Sequence, residues 1–311
     1  MILFHRMQES TAHATNFIYS DCRTLEGWMQ NMKFTKMHGL GNDYVYVNAF
    51  EEQVDDPRAL AIAISDRHFG VGSDGLVLIC PSEAADFKML MYNADGSQSE
   101  MCGNASRCVA KYVYDHGMTN KTVVTLETLA GIKTLHMTIR DGRVDTVRVD
   151  MGAPQLSCEQ VPCLLGHGVV TRAKIEALDR TFEITPVSTG NPHGVIFLEE
   201  PVEEFDLNRY GPALETHPAF PKKANIEFVN VLARDRLRMR VWERGSGITL
   251  ACGTGSCAVL VAANLCGLAD RRAAIVLDGG ELANEWDEAT GHVFMTGPAT
   301  HVFDGEYDLR K

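Results

Sequence analysis

The chain has 311 residues, 45% apolar and 23% charged, which is the composition of a globular protein with room for two ordinary domains. A formal net charge of −12 argues against nucleic acid or an anionic membrane surface as a partner. The nine cysteines are odd in number, include no C-x-x-C pair and come with no expected secretory signal, so no disulfide framework is expected and a reducing cytoplasm is.

Residues 1–31 show neither alternation nor a helical stripe, and read as a weakly ordered extension that forms no functional module. A β pattern opens at Met32. Asp56-Pro57 then starts a helix expected to run to about His68, ahead of Gly70. Gly75–Cys80 and Phe87–Tyr92 read as strands, and a helix is expected from Gly103 to His116, before Gly117. Strands follow at Thr122–Glu127, Ile132–Ile139 and Val144–Asp150. Met151-Gly-Ala-Pro154 reads as a domain junction. Beyond it lie β segments at Gly194–Leu198, Ile226–Leu232 and Leu237–Glu243, a helix at Gly253–Cys266 and a β-rich tail to Tyr307.

Ile248–Ala269 is uncharged over 22 residues, long enough to cross a bilayer. Its glycines and polar residues instead predict a buried helix, and no membrane association is expected.

The two halves echo each other. Gly41-Asn42 precedes an apolar strand, and Cys102-Gly103-Asn104 opens a helix 60 residues after Asn42. Gly190-Asn191 likewise precedes an apolar strand, and Cys252-Gly253-Thr254 opens a helix 61 residues after Asn191. This spacing predicts a duplicated α/β unit with one equivalent cysteine in each copy. Two such domains facing each other place the thiols on opposite walls of one cleft.

That arrangement implies a reaction. A helix start carries free N–H groups and partial positive charge, which bind a carboxylate and lower a nearby thiol from its ordinary pKa of about 8.5. A bound α-amino acid would present its Cα between Cys102 and Cys252. One thiolate would remove the α-proton and the opposite thiol would protonate the other face. Gly103 and Gly253 suit a close approach of backbone to ligand. The remaining cysteines, Cys108 and Cys257 included, read as small core residues.

The runs Lys36–Tyr44, Tyr92–Ser97, Met101–Asn104, Gly190–His193, Ala224-Asn225, Trp242–Gly245 and Ala251–Gly255 resemble, in order, the motifs of the diaminopimelate epimerase family. The resemblance implies an α/β (α+β) fold of two pseudo-symmetric domains. Each would be a mixed β-sheet wrapped around a central helix, with the active site in the cleft between them. It places the N-terminal domain at 32–149, with the tail from about 299 to 311 returning to it, and the C-terminal domain at 150–298. It implies epimerisation of LL-2,6-diaminopimelate to the meso form, by Cys102 and Cys252, in lysine and cell-wall precursor synthesis.

Substrate contacts are implied for Asn42, Asn93, Asn191, Asn225, Glu243 and Arg244, with carboxylate-binding amides at Gly103, Asn104, Gly253 and Thr254. Arg244 can pair with a carboxylate in bidentate fashion, and Glu243 can hold an ammonium. His193 is a possible auxiliary group. Neither cofactor nor metal is expected, pyridoxal phosphate included, and the chain is expected to form a homodimer.

Two alternatives stay open. One is a two-cysteine racemase of another amino acid, similar to proline racemase. The other is a dinucleotide-binding enzyme, since Gly253-Thr-Gly-Ser-Cys-Ala258 imitates G-x-G-x-x-A but lacks a strand running directly into it.

Overall fold

A computed structural model describes residues 31–309. The first half contains β1 (Asn31–Gly39), β2 (Asn42–Asn48), α1 (Pro57–Ser65), β3 (Gly75–Cys80), β4 (Phe87–Asn93), β5 (Gln98–Ser99), α2 (Gly103–Asp115), β6 (Val123–Thr128), β7 (Gly131–Arg140) and β8 (Arg143–Asp150). The second half contains β9 (Ala173–Ala177), β10 (Arg180–Ser188), β11 (Pro192–Phe197), α3 (Leu207–Glu215), β12 (Asn225–Ala233), β13 (Arg236–Glu243) and β14 (Gly247–Ile248). It continues with α4 (Gly253–Leu265), β15 (Arg272–Leu277), β16 (Gly280–Trp286), β17 (Val293–Pro298) and β18 (Thr300–Asp308).

Strand pairing repeats between the halves. In the first, β1 pairs antiparallel with β2, β2 parallel with β3, β3 antiparallel with β4, and β4 parallel with β6, which continues through β7 to β8. In the second, β10, β11, β12, β13, β15, β16 and β17 follow the same sequence of parallel and antiparallel steps. The outer strand of the first unit is β18, paired with β1, and that of the second is β9, paired with β10. The units meet where β8 pairs with β17. The fold is therefore mixed α+β and duplicated, as the spacing of Asn42–Cys102 and Asn191–Cys252 predicts.

The central helices α2 and α4 lie in one hydrophobic cluster that draws residues from both halves, including Met37, Val109, Val187, Leu260 and Met295. On α4 the buried residues run from Ser256 to Ala263 without a break. A helix packed on every side needs no polar face, which explains the uncharged run read in the sequence. No helix of the described residues is long and apolar enough to cross a membrane.

Two boundaries move and one helix went unread. The extension read at 1–31 lies outside the described residues except for Asn31, which opens β1 opposite Asp308. Helix α1 starts as expected, with the Asp56 carboxylate accepting from the N–H groups of Arg58 and Ala59, but it ends at Ser65. There the Asp66 carboxylate accepts from the N–H groups of His68 and Phe69 and turns the chain out of the helix. Helix α3 is absent from the sequence reading because Pro212 lies inside it.

Candidate active site

Each Gly-Asn pair sits at the entrance to an equivalent strand, β2 or β11. Gly41 and Gly190 adopt positive φ angles of 85° and 111°, which a side chain would strain. The strand registers set matching rows. Tyr44 pairs with Gly75 and Gly75 with Asn93 in the first unit. In the second, His193 pairs with Asn225, and the Ile226–Trp242 pair places Glu243 beside Asn225. Asn93 and Glu243 thus hold equivalent places.

Cys102 and Cys252 are the N-cap residues of α2 and α4, both with extended backbone. The half-buried Cys102 donates its S–H to Asn42 Oδ1 at 3.4 Å, and Asn42 Nδ2 donates to Asp74 Oδ2 at 2.8 Å. The buried Cys252 accepts at Sγ from the Gly255 N–H at 3.3 Å and lies 3.5 Å from Thr254 Oγ1. Asn104 joins the two helix starts: its Nδ2 donates to Asn42 Oδ1 and to the Ala251 carbonyl, each at 3.3 Å. Near Cys252, His193 Nδ1 lies 2.6 Å from Glu227 Oε1, and its Nε2 lies 2.9 Å from Asn191 Oδ1. Glu243 is held by the Thr249 hydroxyl and stands within hydrogen-bonding reach of Cys252.

The helix-start N–H groups lower both thiols, as expected, but burial outweighs them and the net shift is upward. Burial pushes Cys102 up, although the N–H groups of Ala105 and Asn104 and the charge of Arg107 pull it down. Burial, then Glu243 and Glu227, push Cys252 well above the ordinary thiol value. Burial likewise raises Glu243. Desolvation of a whole thiolate outweighs a few N–H dipoles because those dipoles carry only fractional charge.

The glycines have a second role. A Cβ on Gly103 would come within 2.7 Å of Met295 Cε, and one on Gly253 within 3.1 Å of Met295 Sδ. Met295 of β17 therefore packs against both helix starts, and a side chain at either glycine would have to displace the end of that methionine.

Other implied contacts are spread more widely. Asn225 donates to the Pro192 carbonyl at 3.0 Å and accepts from the Arg244 N–H at 2.9 Å. The Arg244 guanidinium reaches the Lys222 carbonyl at 3.1 Å. Asn93 Nδ2 donates to Ser97 Oγ at 2.9 Å. The sequence reading missed Asp74, Arg107, Glu227 and Thr249. A signal existed for two of them: Arg107 and Glu227 are charged residues inside apolar runs. Among the described residues no three His, Cys, Asp or Glu side chains cluster as a metal site would require.

The family model described as diaminopimelate epimerase matches residues 34–157 and 185–302. A protein named diaminopimelate epimerase from Acetivibrio thermocellus is 57% identical over 280 residues, covering 90% of this chain and 100% of that protein. One of the same name from Methanococcus maripaludis is 55% identical over 278 residues, covering 89% of this chain and 100% of that protein. Among solved structures, a hydroxyproline epimerase from Agrobacterium vitis superposes with a TM-score of 0.62 at 16% identity, covering 91% of this chain and 94% of that one. A PhzF-family phenazine biosynthesis protein from Enterococcus faecalis gives 0.66 at 13% identity, covering 90% and 100%. At such identities the likeness is one of fold alone.

Proposed function

The chain belongs to the diaminopimelate epimerase family, and from that premise we propose how its site works on LL- and meso-2,6-diaminopimelate. It is an isomerase that epimerises diaminopimelate, the reaction that the family name assigns to lysine biosynthesis. The observation that carries the mechanism is the placement of Cys102 and Cys252 at equivalent helix starts, joined through Asn104.

In our reading one thiolate removes the α-proton and the opposite thiol protonates the other face. The opening N–H groups of α2 and α4, at Gly103, Asn104, Gly253 and Thr254, receive the carboxylate of the reacting end and the charge that spreads into it. Asn42 and Asn191 flank this end. Asn93, Asn225, Glu243 and Arg244 read the two zwitterionic ends by hydrogen bond and charge, and His193 supports Asn191. The chemistry uses the chain's own side chains and backbone N–H groups and needs neither pyridoxal phosphate nor a metal ion.

Residues 32–149 with the returning β18, and residues 150–298, are read as the two domains that close on substrate. The β1–β18 pairing supports this division. A cytoplasmic location fits the eight cysteines of the described residues, all free thiols. A homodimer is part of the same reading.

The test is to incubate the purified protein with LL-diaminopimelate, adding no cofactor, and to separate isomers by chiral chromatography. Formation of the meso isomer is expected. Turnover of proline or hydroxyproline with none of diaminopimelate would overturn the substrate assignment.

A further inference from the structure

Arg107 lies one turn into α2 and is fully buried, the bulkiest such side chain of the described residues. Its hydrogen bonds go to neutral groups. Nε donates to the Pro298 carbonyl at 3.1 Å. One terminal nitrogen approaches the Gly103 carbonyl at 3.3 Å and Met295 Sδ at 3.7 Å, and the other donates to Asn104 Oδ1 at 2.9 Å. Among the described residues no carboxylate forms an ion pair with it. Burying a cation with no anion beside it is strongly unfavourable, and an arginine does not escape by losing its proton.

The guanidinium nonetheless has a built cradle. A Cβ on Gly39 would come within 2.9 Å of it, and one on Gly297 within 3.2 Å of Nε. Two strands therefore approach the charge through residues without side chains.

The groups around Arg107 that can become negative are Cys102, Cys108, Cys257 and Tyr46. Burial raises all four, and at Cys102 the N–H groups of Ala105 and Asn104 pull against it. Burial pushes Cys108 up to about 11 and Cys257 up to about 12, and raises Tyr46 well above the ordinary phenol value. Of the four, Cys102 is the one at a helix start, half-buried and bonded to a polar side chain of the site, Asn42 Oδ1 at 3.4 Å, which places it to supply the missing anion first.

The duplicated fold makes this one-sided. Cys102 and Cys252 hold the same place at the starts of α2 and α4, so Cys257 is the equivalent of Arg107. The groups facing Cys252 are the carboxylates Glu243 from β13 and Glu227 from β12, with the imidazole of His193 from β11 against Glu227 at 2.6 Å. Those facing Cys102 are Arg107 on its own helix and Glu243 from β13, with the phenols Tyr44 and Tyr46 from β2 and the thiol Cys108 alongside.

We propose that Arg107 is a positioning residue: its buried guanidinium polarises the site so that Cys102 ionises before Cys252, which makes Cys102 the thiolate base and Cys252 the thiol acid of the working form. Through Asn104 it also fixes the spacing of the two helix starts. The proposal rests on the assignment of the cysteine pair above, and deepens it by saying which thiol ionises first.

The test reads ionisation without substrate. The full-length protein is treated with iodoacetamide, an uncharged alkylating agent, across a pH series, and peptide mass spectrometry follows Cys102 and Cys252 separately. In the parent protein the Cys102 midpoint lies below that of Cys252. In Arg107→Met the Cys102 midpoint moves up by about one pH unit, about tenfold slower alkylation below the midpoint, while that of Cys252 stays in place. Arg107→Lys retains the positive charge and most of the parent midpoint.

A Cys252 midpoint below that of Cys102 in the parent protein overturns the proposal. So does an unchanged Cys102 midpoint in a folded Arg107→Met protein, even if its activity falls, since that outcome marks a structural role. Should Arg107→Met fail to fold, the parent order and the lysine variant decide, and a full one-unit rise in Arg107→Lys counts against the charge. Diaminopimelate is absent from this assay, so failure of the substrate assignment and failure of the polarity are separate results.

Discussion

The side-chain amide of Asn104 donates to the backbone carbonyl of Ala251 at 3.3 Å, so a residue in the first turn of α2 grips the residue that precedes Cys252. The same side chain reaches Asn42 Oδ1 at 3.3 Å and accepts from Arg107 at 2.9 Å. The two cysteine-bearing helix starts are thereby held by one amide.

Asn104→Ala strands the buried Ala251 carbonyl and an Arg107 N–H. Such groups cost about 1–3 kcal/mol each when left without a partner. The melting temperature is expected to fall, and kcat to fall more than KM rises, because the helix starts lose their spacing. Thermal melting and steady-state kinetics check this. A variant as stable and as active as its parent would show that the bridge is dispensable.

Cys102→Ala and Cys252→Ala each remove one face's proton carrier. A general acid–base group contributes about 10²–10⁴-fold, and each loss should reach the upper part of that range. Cys108→Ala and Cys257→Ala should cost packing alone. In heavy water, early product should carry deuterium at the inverted centre while recovered substrate stays protiated, since a thiol returns a solvent-derived proton. Rapid label in the substrate pool would point to a single polyprotic base.

The thiol shifts give a sign for the pH dependence. The working form of the free enzyme has one thiolate and one thiol. Burial holds Cys102 above the ordinary thiol value and Cys252 higher still. The working form therefore gains population as pH rises toward the Cys102 midpoint, and is lost only when Cys252 also ionises. kcat/KM is expected to climb through the mildly alkaline range, above about pH 8. A pH–rate profile that falls there contradicts the shifts.

Gly255→Ala separates stability from activity. Alanine suits a helix better than glycine by about 1 kcal/mol. Here, however, the added Cβ would stand 2.7 Å from Glu227 Oε1 and 3.1 Å from Cys252 Sγ. The tighter clash is with the buried Glu227 carboxylate, which must shift along with its 2.6 Å contact to His193, and the thiol must also give slightly. Activity is expected to drop at least about tenfold, a loss of roughly 1.4 kcal/mol in the barrier, in a protein that still folds. Chemical denaturation beside kinetics would show it; parent-like turnover would mean that Glu227 and the sulfur have room to move.

A chain started at Asn31, where β1 begins, is expected to fold and turn over like the full chain. The family match begins at residue 34, which motivates the cut. Loss of soluble protein or of activity in that shortened chain would assign residues 1–30 a structural or catalytic role.

The duplication, the helix starts at Cys102 and Cys252 and the buried character of α4 were legible in the sequence. Each is a matter of spacing and periodicity along the chain. The end of α1 at Ser65 depended on a side-chain turn at Asp66, and α3 was hidden by Pro212, so local pattern misjudged both. Only the tertiary structure decided the neighbours of the thiols. Asp74 reaches Asn42 from 32 residues away, Glu227 reaches His193 from 34, and Asn104 reaches Ala251 from 147. The sign of the thiol shifts was settled there too. A helix start is visible in a sequence, but the water excluded from around a sulfur is fixed by everything packed against it, and that exclusion outweighs the helix dipole.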